Sequence, residues 1–278
     1  MPAGKHLHLA IIGGGNMGRA LIGGLLRSGV RPEAIQVCES SAQARERLRL
    51  DFGIAATPDP QASIAGANVV VLAVKPQDLR GVVAPLRQSL QNTCPLVLSI
   101  AAGVRIDALQ NWCGAGVPIA RAMPNRPALL GAGATGIYAG HDVPASSRAL
   151  AERVLKGVGA VVWLESEASL DVVTALSGSG PAYFFLLADA MRQSAVDLGL
   201  DPHAARLLAM ETLYGAGLQA HDSDGDLVRL REEVTSKGGT TEAAIRSLMR
   251  AEFTATIHAA LEAAAHRSRE LAAQFGSS

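Results

Sequence analysis

Two short stretches rich in Gly, Ser and Thr interrupt the second half of the chain, which otherwise has the Ala, Leu and charged residues typical of packed helices. They are residues 177–183 (SGSGPAY) and residues 235–241 (TSKGGTT). Each precedes or interrupts a predicted helix, so each can expose backbone N–H groups and hydroxyls together. This arrangement predicts a site for a small anion, because unpaired N–H groups at a helix start favour negative charge.

A glycine-rich turn near the N-terminus indicates a second site. Residues 13–18 (GGGNMG) follow a predicted strand, open a predicted helix and fit the pattern G-x-G-x-x-G. In this pattern Gly13 permits the tight turn, Gly15 lets the backbone approach a pyrophosphate, and Gly18 lets the helix pack on the sheet. Its place at the first strand–helix junction of an alternating chain favours a dinucleotide site over a turn without a ligand.

Glu39 ends the second predicted strand, where a dinucleotide-binding chain selects its cofactor. An acid at this place accepts hydrogen bonds from the adenosine ribose and repels a 2′-phosphate. Ser40, Ser41 and Arg45 follow, and they would suit that phosphate if Glu39 turned away. The residues therefore lean toward NADH without excluding NADPH, and Glu39 as a solvated turn residue stays an alternative.

Further loops are expected beside the glycine-rich turn, because ligands of open α/β sheets bind outside the carboxyl ends of the strands. Small residues there leave room for a nicotinamide ribose, while Met123 and Pro124 suit an apolar wall and Asn125 a polar anchor. Lys75 is expected to help position the cofactor, and a charged loop residue near a helix start is the alternative. The residues expected to bind the cofactor are Gly13, Gly15, Asn16, Met17, Gly18, Glu39, Ser40, Ala73, Val74, Lys75, Pro76, Ala101, Ala102, Gly103, Met123, Pro124 and Asn125.

The elements that must position these residues change in kind along the chain. Its 278 residues, about half of them apolar, suggest about two domains with a full core. Strands are predicted at 7–12, 35–38, 69–74, 96–100, 118–123, 132–138 and 160–164, and helices at 17–26, 42–50, 79–90 and 144–156. Only helices are predicted later, at 167–199, 202–220, 227–234, 241–249 and 252–273. We therefore predict an α/β domain with a doubly wound, mostly parallel sheet (1–165) and an all-α domain (166–278).

Composition excludes several other classes of function. The 25 basic and 25 acidic residues balance, without a basic patch for nucleic acid, and the three cysteines lack metal-ligand spacing. No metal site is expected, and the cysteines are predicted to be reduced. No apolar run approaches the ~18 residues that span a membrane, and no secretory leader is recognised. A cytoplasmic protein is expected, with the apolar helix from Ser169 onward buried against another subunit.

A nicotinamide dinucleotide supplies a hydride, so the next question is which kind of substrate accepts it. The answer depends on the side chains available to assist the transfer. A ketone needs its oxygen protonated or polarised, whereas a protonated imine already accepts hydride well. Lys237 is the only lysine after Lys156, and no obvious acid for carbonyl reduction stands in the second half. A carboxylate-sized anion site without a strong acid beside it favours an imino acid.

Six segments resemble, in the same order, those of the pyrroline-5-carboxylate reductase family. They are residues 13–18, 74–77 (VKPQ), 101–103 (AAG), 121–125 (RAMPN), 175–183 (ALSGSGPAY) and 234–241 (VTSKGGTT). The resemblance covers essentially the whole chain, and its last segment is the most specific. It implies a Rossmann domain, a helical domain that intertwines in a homodimer, and further assembly that is commonly decameric. It also implies hydride transfer from NADPH or NADH to the C=N carbon of 1-pyrroline-5-carboxylate, which gives L-proline as the last step of proline biosynthesis.

The resemblance assigns roles to the residues of both hydroxyl-rich stretches. The Thr241 hydroxyl would bond the ring nitrogen as the catalytic residue, and Gly238, Gly239 and Thr240 would hold the substrate carboxylate through their N–H groups. Ser236 would add a hydroxyl. The pocket beneath the nicotinamide would be shaped by Ser177, Gly178, Ser179 and Gly180. For this first stretch, glycines that only relieve a helix crossing are the alternative.

Departures from the family pattern and two other functions stay open at this point. Arg126 stands where Thr is usual, Asp189 where a longer acid is common, and Lys237 where Pro is frequent. A β-hydroxyacid dehydrogenase-like oxidoreductase would need a catalytic Lys a few residues before an Asn, and no such pair follows residue 165. A non-catalytic NAD(P)-binding sensor would not need the two hydroxyl-rich stretches.

Overall fold

The strands form where short runs of aliphatic residues occur. The structure, a computed structural model, describes residues 7–223 and 225–276. Val69–Leu72, for example, is an unbroken VVVL run whose four side chains are all buried, as in a strand covered on both faces. The strands in the described residues are β1 (Leu9–Ile12), β2 (Ile35–Cys38), β3 (Ala56–Thr57), β4 (Val69–Leu72), β5 (Leu96–Ser99), β6 (Ile119–Met123), β7 (Gly133–Ala139) and β8 (Gly159–Trp163).

Several helices begin at polar side chains that cap them. Ser41 accepts a hydrogen bond from the Ala44 N–H, and Asp201 accepts from two N–H groups of the helix that follows it. The helices before residue 165 are α1 (Asn16–Arg27), α2 (Ala42–Phe52), α3 (Pro60–Ser63), α4 (Pro76–Val83), α5 (Arg87–Thr93), α6 (Ile106–Cys113) and α7 (Ala145–Lys156). The later ones are α8 (Ser169–Val173), α9 (Gly180–Asp197), α10 (Pro202–Asp222), α11 (Leu227–Glu233), α12 (Thr240–Arg250) and α13 (Phe253–Gly276). A π-helical turn, Thr174–Gly178, connects α8 to α9.

The eight strands make one sheet in the order β3-β2-β1-β4-β5-β6-β7-β8. All neighbours pair in parallel except β6 and β7, which pair antiparallel from Ala120 opposite Ala139 to Met123 opposite Gly136. The strand order reverses between β1 and β4, which is the switch point where doubly wound sheets bind ligands. The predicted α/β class with a mostly parallel sheet is confirmed.

The apolar core lies on both faces of this sheet. Leu9 and Ile11 of β1 belong to the cluster that packs under α1, α2 and α7, whereas Ala10 and Ile12 belong to the cluster under α4, α5 and α6. The alternation follows from the two-residue period of a strand. Burial on both faces explains why the central strands are continuous apolar runs.

The chain divides into two compact units at a place other than residue 165. Met1–Gly178 and Ala264–Ser278 form the first unit, and Ser179–Ala263 forms the second. Leu170 and Ala175 are buried within the first unit, as are Ala265 and Ala272 of the last helix. The start of the helical half and the end of the chain thus complete the α/β unit, and contacts alone do not separate 1–165 from 166–278.

The second unit exposes many apolar side chains on its long helices. In α9 and α10, the large ones that are exposed are Phe184, Phe185, Leu186, Leu187, Met191, Leu207, Leu208, Met210, Tyr214 and Leu218. The segment Ser169–Asp197, which begins in the first unit, is also long and apolar enough to cross a membrane by length and composition. The expectation that no segment reaches this length is therefore wrong, because Ala, Gly and Ser fill the gaps between its large apolar residues.

Packing of α1 against the turn before β8 gives a stability prediction. A Cβ atom on Gly24 would collide with the Gly157 carbonyl, whereas one on Gly81 in α4 would meet no atom within 4 Å. We expect Gly24→Ala to lower the free energy of unfolding by about 1–3 kcal/mol. Gly81→Ala should raise it by about 0.5–1 kcal/mol, because Ala loses less backbone entropy in a helix. Urea denaturation at one protein concentration measures both, and equal effects would contradict this account of Gly24.

Candidate active site

The carboxyl ends of five neighbouring strands meet at one edge of the sheet. Ile12 pairs with Cys38 on one side and with Leu72 on the other, and Ser99 stands between Leu72 and Arg121. The loops after β1, β2, β4, β5 and β6 therefore leave the sheet side by side. The structure brings together here the loops that the sequence assigned to a dinucleotide.

The glycine-rich turn closes tightly against β4. Gly13 has φ +109°, and a Cβ atom there would lie 2.7 Å from the Ala73 carbonyl oxygen. A Cβ atom on Gly18 would collide with the Gly13 carbonyl. By contrast, exposed Gly15 caps α1, and a Cβ atom there would meet nothing within 4 Å. The turn is thus packed at its ends and open at Gly15, and the unpaired N–H groups at the start of a helix are suited to an anion.

Glu39 is bound to the glycine-rich turn and does not point freely into solvent. One carboxylate oxygen accepts from the Gly14 N–H at 2.8 Å, and the other accepts from the Ser41 N–H at 2.8 Å. Arg45 is held nearby, because its Nη1 donates to the carbonyl oxygens of Glu39 and Ser40 at 2.8 and 2.7 Å. The acid thus faces the turn, which agrees better with a ribose acceptor than with a solvated turn residue.

Lys75 is an exposed residue at the start of α4. Its backbone caps the helix, its carbonyl accepts from Asp78 N–H at 3.0 Å, and Pro76 opens the first turn. Within residues 7–223 and 225–276, its ammonium group has no ion-pair partner. Both interpretations of Lys75, as a cofactor contact and as a charged loop residue, fit this position.

The loop after β5 packs against the end of the chain. Gly103, with φ +78°, lies so close to α13 that a Cβ atom there would be 3.3 Å from the Ala272 nitrogen and from the Phe275 ring. Ala101 is buried at the same loop. The last helix therefore supports a loop that the sequence assigned to the cofactor.

The end of β6 and the loop after it place Met123, Pro124 and Asn125 beside the π-helical turn. Asn125 is buried, and its Nδ2 donates to the Ser177 carbonyl at 3.0 Å. A Cβ atom on Gly178 would lie 3.0 Å from the Met123 methyl carbon. The first hydroxyl-rich stretch thus begins in contact with the predicted nicotinamide wall, and its Ser177 hydroxyl donates to the Val173 carbonyl at 3.1 Å. Ser179 and buried Gly180 continue this stretch in the second unit.

The second hydroxyl-rich stretch forms the N-terminus of α12, in the second unit. Gly239 caps the helix, and Gly238 has φ +74°, which suits a left-handed turn. The Gly238 N–H donates to a Glu242 carboxylate oxygen at 2.7 Å, and the Gly239 N–H donates to the Ser236 carbonyl at 3.0 Å. In the described part of the chain no acceptor bonds the N–H groups of Thr240 and Thr241.

The side chains of this second stretch remain accessible. Ser236, Lys237 and Thr240 are exposed, and Thr241 is half-buried. Two N–H groups, two threonine hydroxyls and the Ser236 hydroxyl are thus available at the positive end of an eleven-residue helix. This arrangement can bind a small carboxylate, with Thr240 and Thr241 as the N–H donors free to do so.

Two partly buried ion-pair networks in the first unit have no counterpart among the sequence predictions. Arg121 Nη1 donates to a Glu167 oxygen at 2.8 Å, and the same oxygen accepts from the Ile106 N–H at 2.7 Å. Asp171 accepts from buried Ser268 at 2.7 Å and lies 3.5 Å from the Arg105 guanidinium. A charged residue inside an apolar strand, such as Arg121, was the available signal, because a buried charge requires a partner.

The cysteines have no chemistry suited to this site. Burial raises the pKa of the Cys113 thiol to about 12. Burial and the nearby Glu39 carboxylate likewise raise the pKa of the Cys38 thiol. Both stay neutral at pH 7 and are poor nucleophiles. Among the described residues all three cysteines are free, and no group of three or more potential metal ligands forms.

Comparison with protein families divides the chain as the secondary structure does. Residues 167–271 match the family described as pyrroline-5-carboxylate reductase dimerisation. Residues 8–103 match the family described as NADP oxidoreductase, coenzyme F420-dependent. The first match covers the helical half, and the second covers the glycine-rich turn and the strand-end loops through Gly103.

Individual relatives agree over nearly the full length. A pyrroline-5-carboxylate reductase of Pseudomonas aeruginosa is 44% identical over 96% of this chain and 98% of its own length. The structure of such a reductase from Coxiella burnetii superposes with a TM-score of 0.92, at 39% identity, over 96% of this chain and 99% of that one. A Plasmodium falciparum pyrroline carboxylate reductase with NADP bound gives a TM-score of 0.83 at 25% identity, over 97% of this chain and all of that one. Sequence and fold together show that this chain belongs to the pyrroline-5-carboxylate reductase family.

Proposed function

We propose that this chain reduces the C=N bond of 1-pyrroline-5-carboxylate to give L-proline, the last step of proline biosynthesis. The main support is that the chain matches members of this family over nearly its full length. The glycine-rich turn, which is packed at Gly13 and Gly18 and open at Gly15, agrees with it. The hydroxyl-rich start of α12 would supply a carboxylate site, and the acid in its first turn, Glu242, is already bonded to the Gly238 N–H. This chemistry suits an imino acid better than a ketone.

The sheet edge fits a nicotinamide dinucleotide. NADH or NADPH, when bound, supplies the hydride. The N–H groups that follow Gly15 would hold its pyrophosphate, and Glu39 would accept from the adenosine ribose. The loops at Ala73–Pro76 and Ala101–Gly103 would leave space for the nicotinamide ribose, with Met123 as the apolar wall.

The start of α12 would hold the substrate. The N–H groups of Thr240 and Thr241 would donate to its carboxylate, with the helix dipole adding to the attraction. Gly238 and Gly239 would contribute through the shape of their turn, since their N–H groups are already bonded to Glu242 and Ser236. The half-buried Thr241 hydroxyl would bond the ring nitrogen, so that this nitrogen is held while its adjacent carbon receives hydride.

The second unit would form a homodimer. Residues 167–271 match a dimerisation family. The exposed apolar faces of α9 and α10 would be buried against the same faces of a second copy of the chain. We infer that a partner subunit, and not lipid, covers the segment Ser169–Asp197, which agrees with a cytoplasmic protein. Residues 166–278 would thus serve as the dimerisation and substrate domain, and decamers would be built from such dimers.

A steady-state assay with both cofactors tests this proposal. Purified protein should oxidise NADH or NADPH when 1-pyrroline-5-carboxylate is added, with L-proline as the product. Light scattering of the same sample should give a molar mass that corresponds to an even number of chains. Cofactor binding without turnover across a range of pH would contradict the proposed enzymatic activity and favour a non-catalytic NAD(P)-binding sensor. Turnover only with a β-hydroxyacid would favour a β-hydroxyacid dehydrogenase-like oxidoreductase.

A further inference from the structure

Position 181 lies in the helical run after the π-helical turn and is a proline. In an α-helix the N–H of residue 181 would donate to the Ser177 carbonyl, but proline has no N–H. The next candidate, the Ala182 N–H, donates instead to the Ser179 carbonyl at 2.9 Å. The Ser177 carbonyl therefore needs a donor from outside its own helix.

Asn125 supplies that donor. Its Nδ2 lies 3.0 Å from the Ser177 carbonyl oxygen, and its Oδ1 accepts from the Ala134 N–H at 2.9 Å. Only 8% of its surface is exposed, so neither bond is readily replaced by water. One amide thus joins the end of β6, the start of β7 and the π-helical turn.

The turn held in this way carries the first hydroxyl-rich stretch. Ser177 and Gly178 end the turn, and Gly178 packs against the methyl group of Met123. Met123, the last residue of β6, precedes Asn125 by two residues and would form the nicotinamide wall. A shift of the turn would therefore move this wall, and catalysis is sensitive to displacements of about 1 Å at the reacting centre.

We propose that Asn125 is a positioning residue that replaces the hydrogen bond missing at Pro181 and so fixes the π-helical turn against the nicotinamide wall. The inference rests on the proposed function for its catalytic part, and on the geometry alone for its structural part. It assigns Asn125 a role through Ser177, in place of the direct cofactor anchor expected from sequence.

A double-mutant cycle with Asn125→Ala and Pro181→Ala tests both parts. Asn125→Ala should lower kcat at least tenfold, leave the Kd for NADH within twofold, and raise the isotope effect on kcat/KM with NADH deuterated at the nicotinamide C4. In the double variant, residue 181 regains an N–H, so the loss in kcat should shrink to threefold or less and the urea midpoint should partly recover. Asn111→Ala, on the exposed face of α6, is the matched control and should leave both readouts unchanged.

The two readouts separate the possible failures. Additive effects on the urea midpoint would overturn the replacement of the missing bond, and this result does not depend on activity. Non-additive effects of the two substitutions on the urea midpoint, with kcat and the isotope effect unchanged, would overturn the positioning role of Asn125. Absence of turnover with 1-pyrroline-5-carboxylate in the unmodified protein would instead contradict the proposed function.

Discussion

Replacing Thr241 by Val is expected to lower kcat/KM for 1-pyrroline-5-carboxylate by about 10²-fold, within the range for a side chain that assists proton transfer or holds a reacting atom. Val keeps the branched shape of a half-buried residue near the start of α12 and removes only the hydroxyl. The Kd for NADH, measured by fluorescence titration, should stay within twofold.

Thr93→Val is the matched control for this substitution. Thr93 is an exposed residue of α5 whose hydroxyl donates to the Ser89 carbonyl at 2.8 Å, remote in the chain from α12. Its kinetics should equal those of the unmodified protein. Unchanged kinetics in Thr241→Val would remove Thr241 from the catalytic role, and an equal fall in both variants would attribute the effect to general loss of threonine hydroxyls.

Glu39→Gln should raise the preference for NADPH over NADH, measured as the ratio of kcat/KM values, by at least about tenfold. The substitution keeps an oxygen that can accept from the Gly14 N–H but removes the charge that repels a 2′-phosphate. Because salt screens charges near the surface, the change should shrink as ionic strength rises.

Glu46→Gln on α2 serves as the control for a lost charge. Glu46 is exposed and pairs with Arg49, and hydrogen bonding to that guanidinium lowers the pKa of the Glu46 carboxyl. Glu46→Gln should therefore leave the ratio of kcat/KM with NADPH to kcat/KM with NADH within twofold of that of the unmodified protein. A Glu39→Gln enzyme with the original ratio would show that Glu39 holds the turn without selecting the cofactor.

The dinucleotide half was largely predictable because its signals are local. The glycine pattern of residues 13–18 and the apolar runs locate the strands and the turns that follow them. Because ligands of such sheets bind outside the carboxyl ends of the strands, the loops after β1, β2, β4, β5 and β6 are expected at one edge. The helix α6 and the short α3 and β3 were missed, since their periodic patterns are brief or lack strong caps. The antiparallel pairing of β6 and β7 likewise has no local signature.

Long-range contacts account for what the sequence could not predict. The compact unit extends to Gly178 because Glu167 and Asp171 bond partners many residues away. The Gly238 N–H is occupied by Glu242, so the donors free for a carboxylate are shifted toward Thr240 and Thr241. Asn125 was recognised as a polar anchor, but only the structure shows that it bonds Ser177. The roles of the predicted site residues in catalysis stay predictions.

The contact of Gly103 with Ala272 and Phe275 has a consequence for the order of events during synthesis. A chain grows from its N-terminus, and domains generally fold in that direction. The residues that support the Gly103 loop are nevertheless made well after it, because the whole second unit, Ser179–Ala263, lies between them in the sequence. The nascent dinucleotide-binding half therefore stays unfinished until α13 leaves the ribosome, which ties the maturation of its ligand site to the prior synthesis of the second unit.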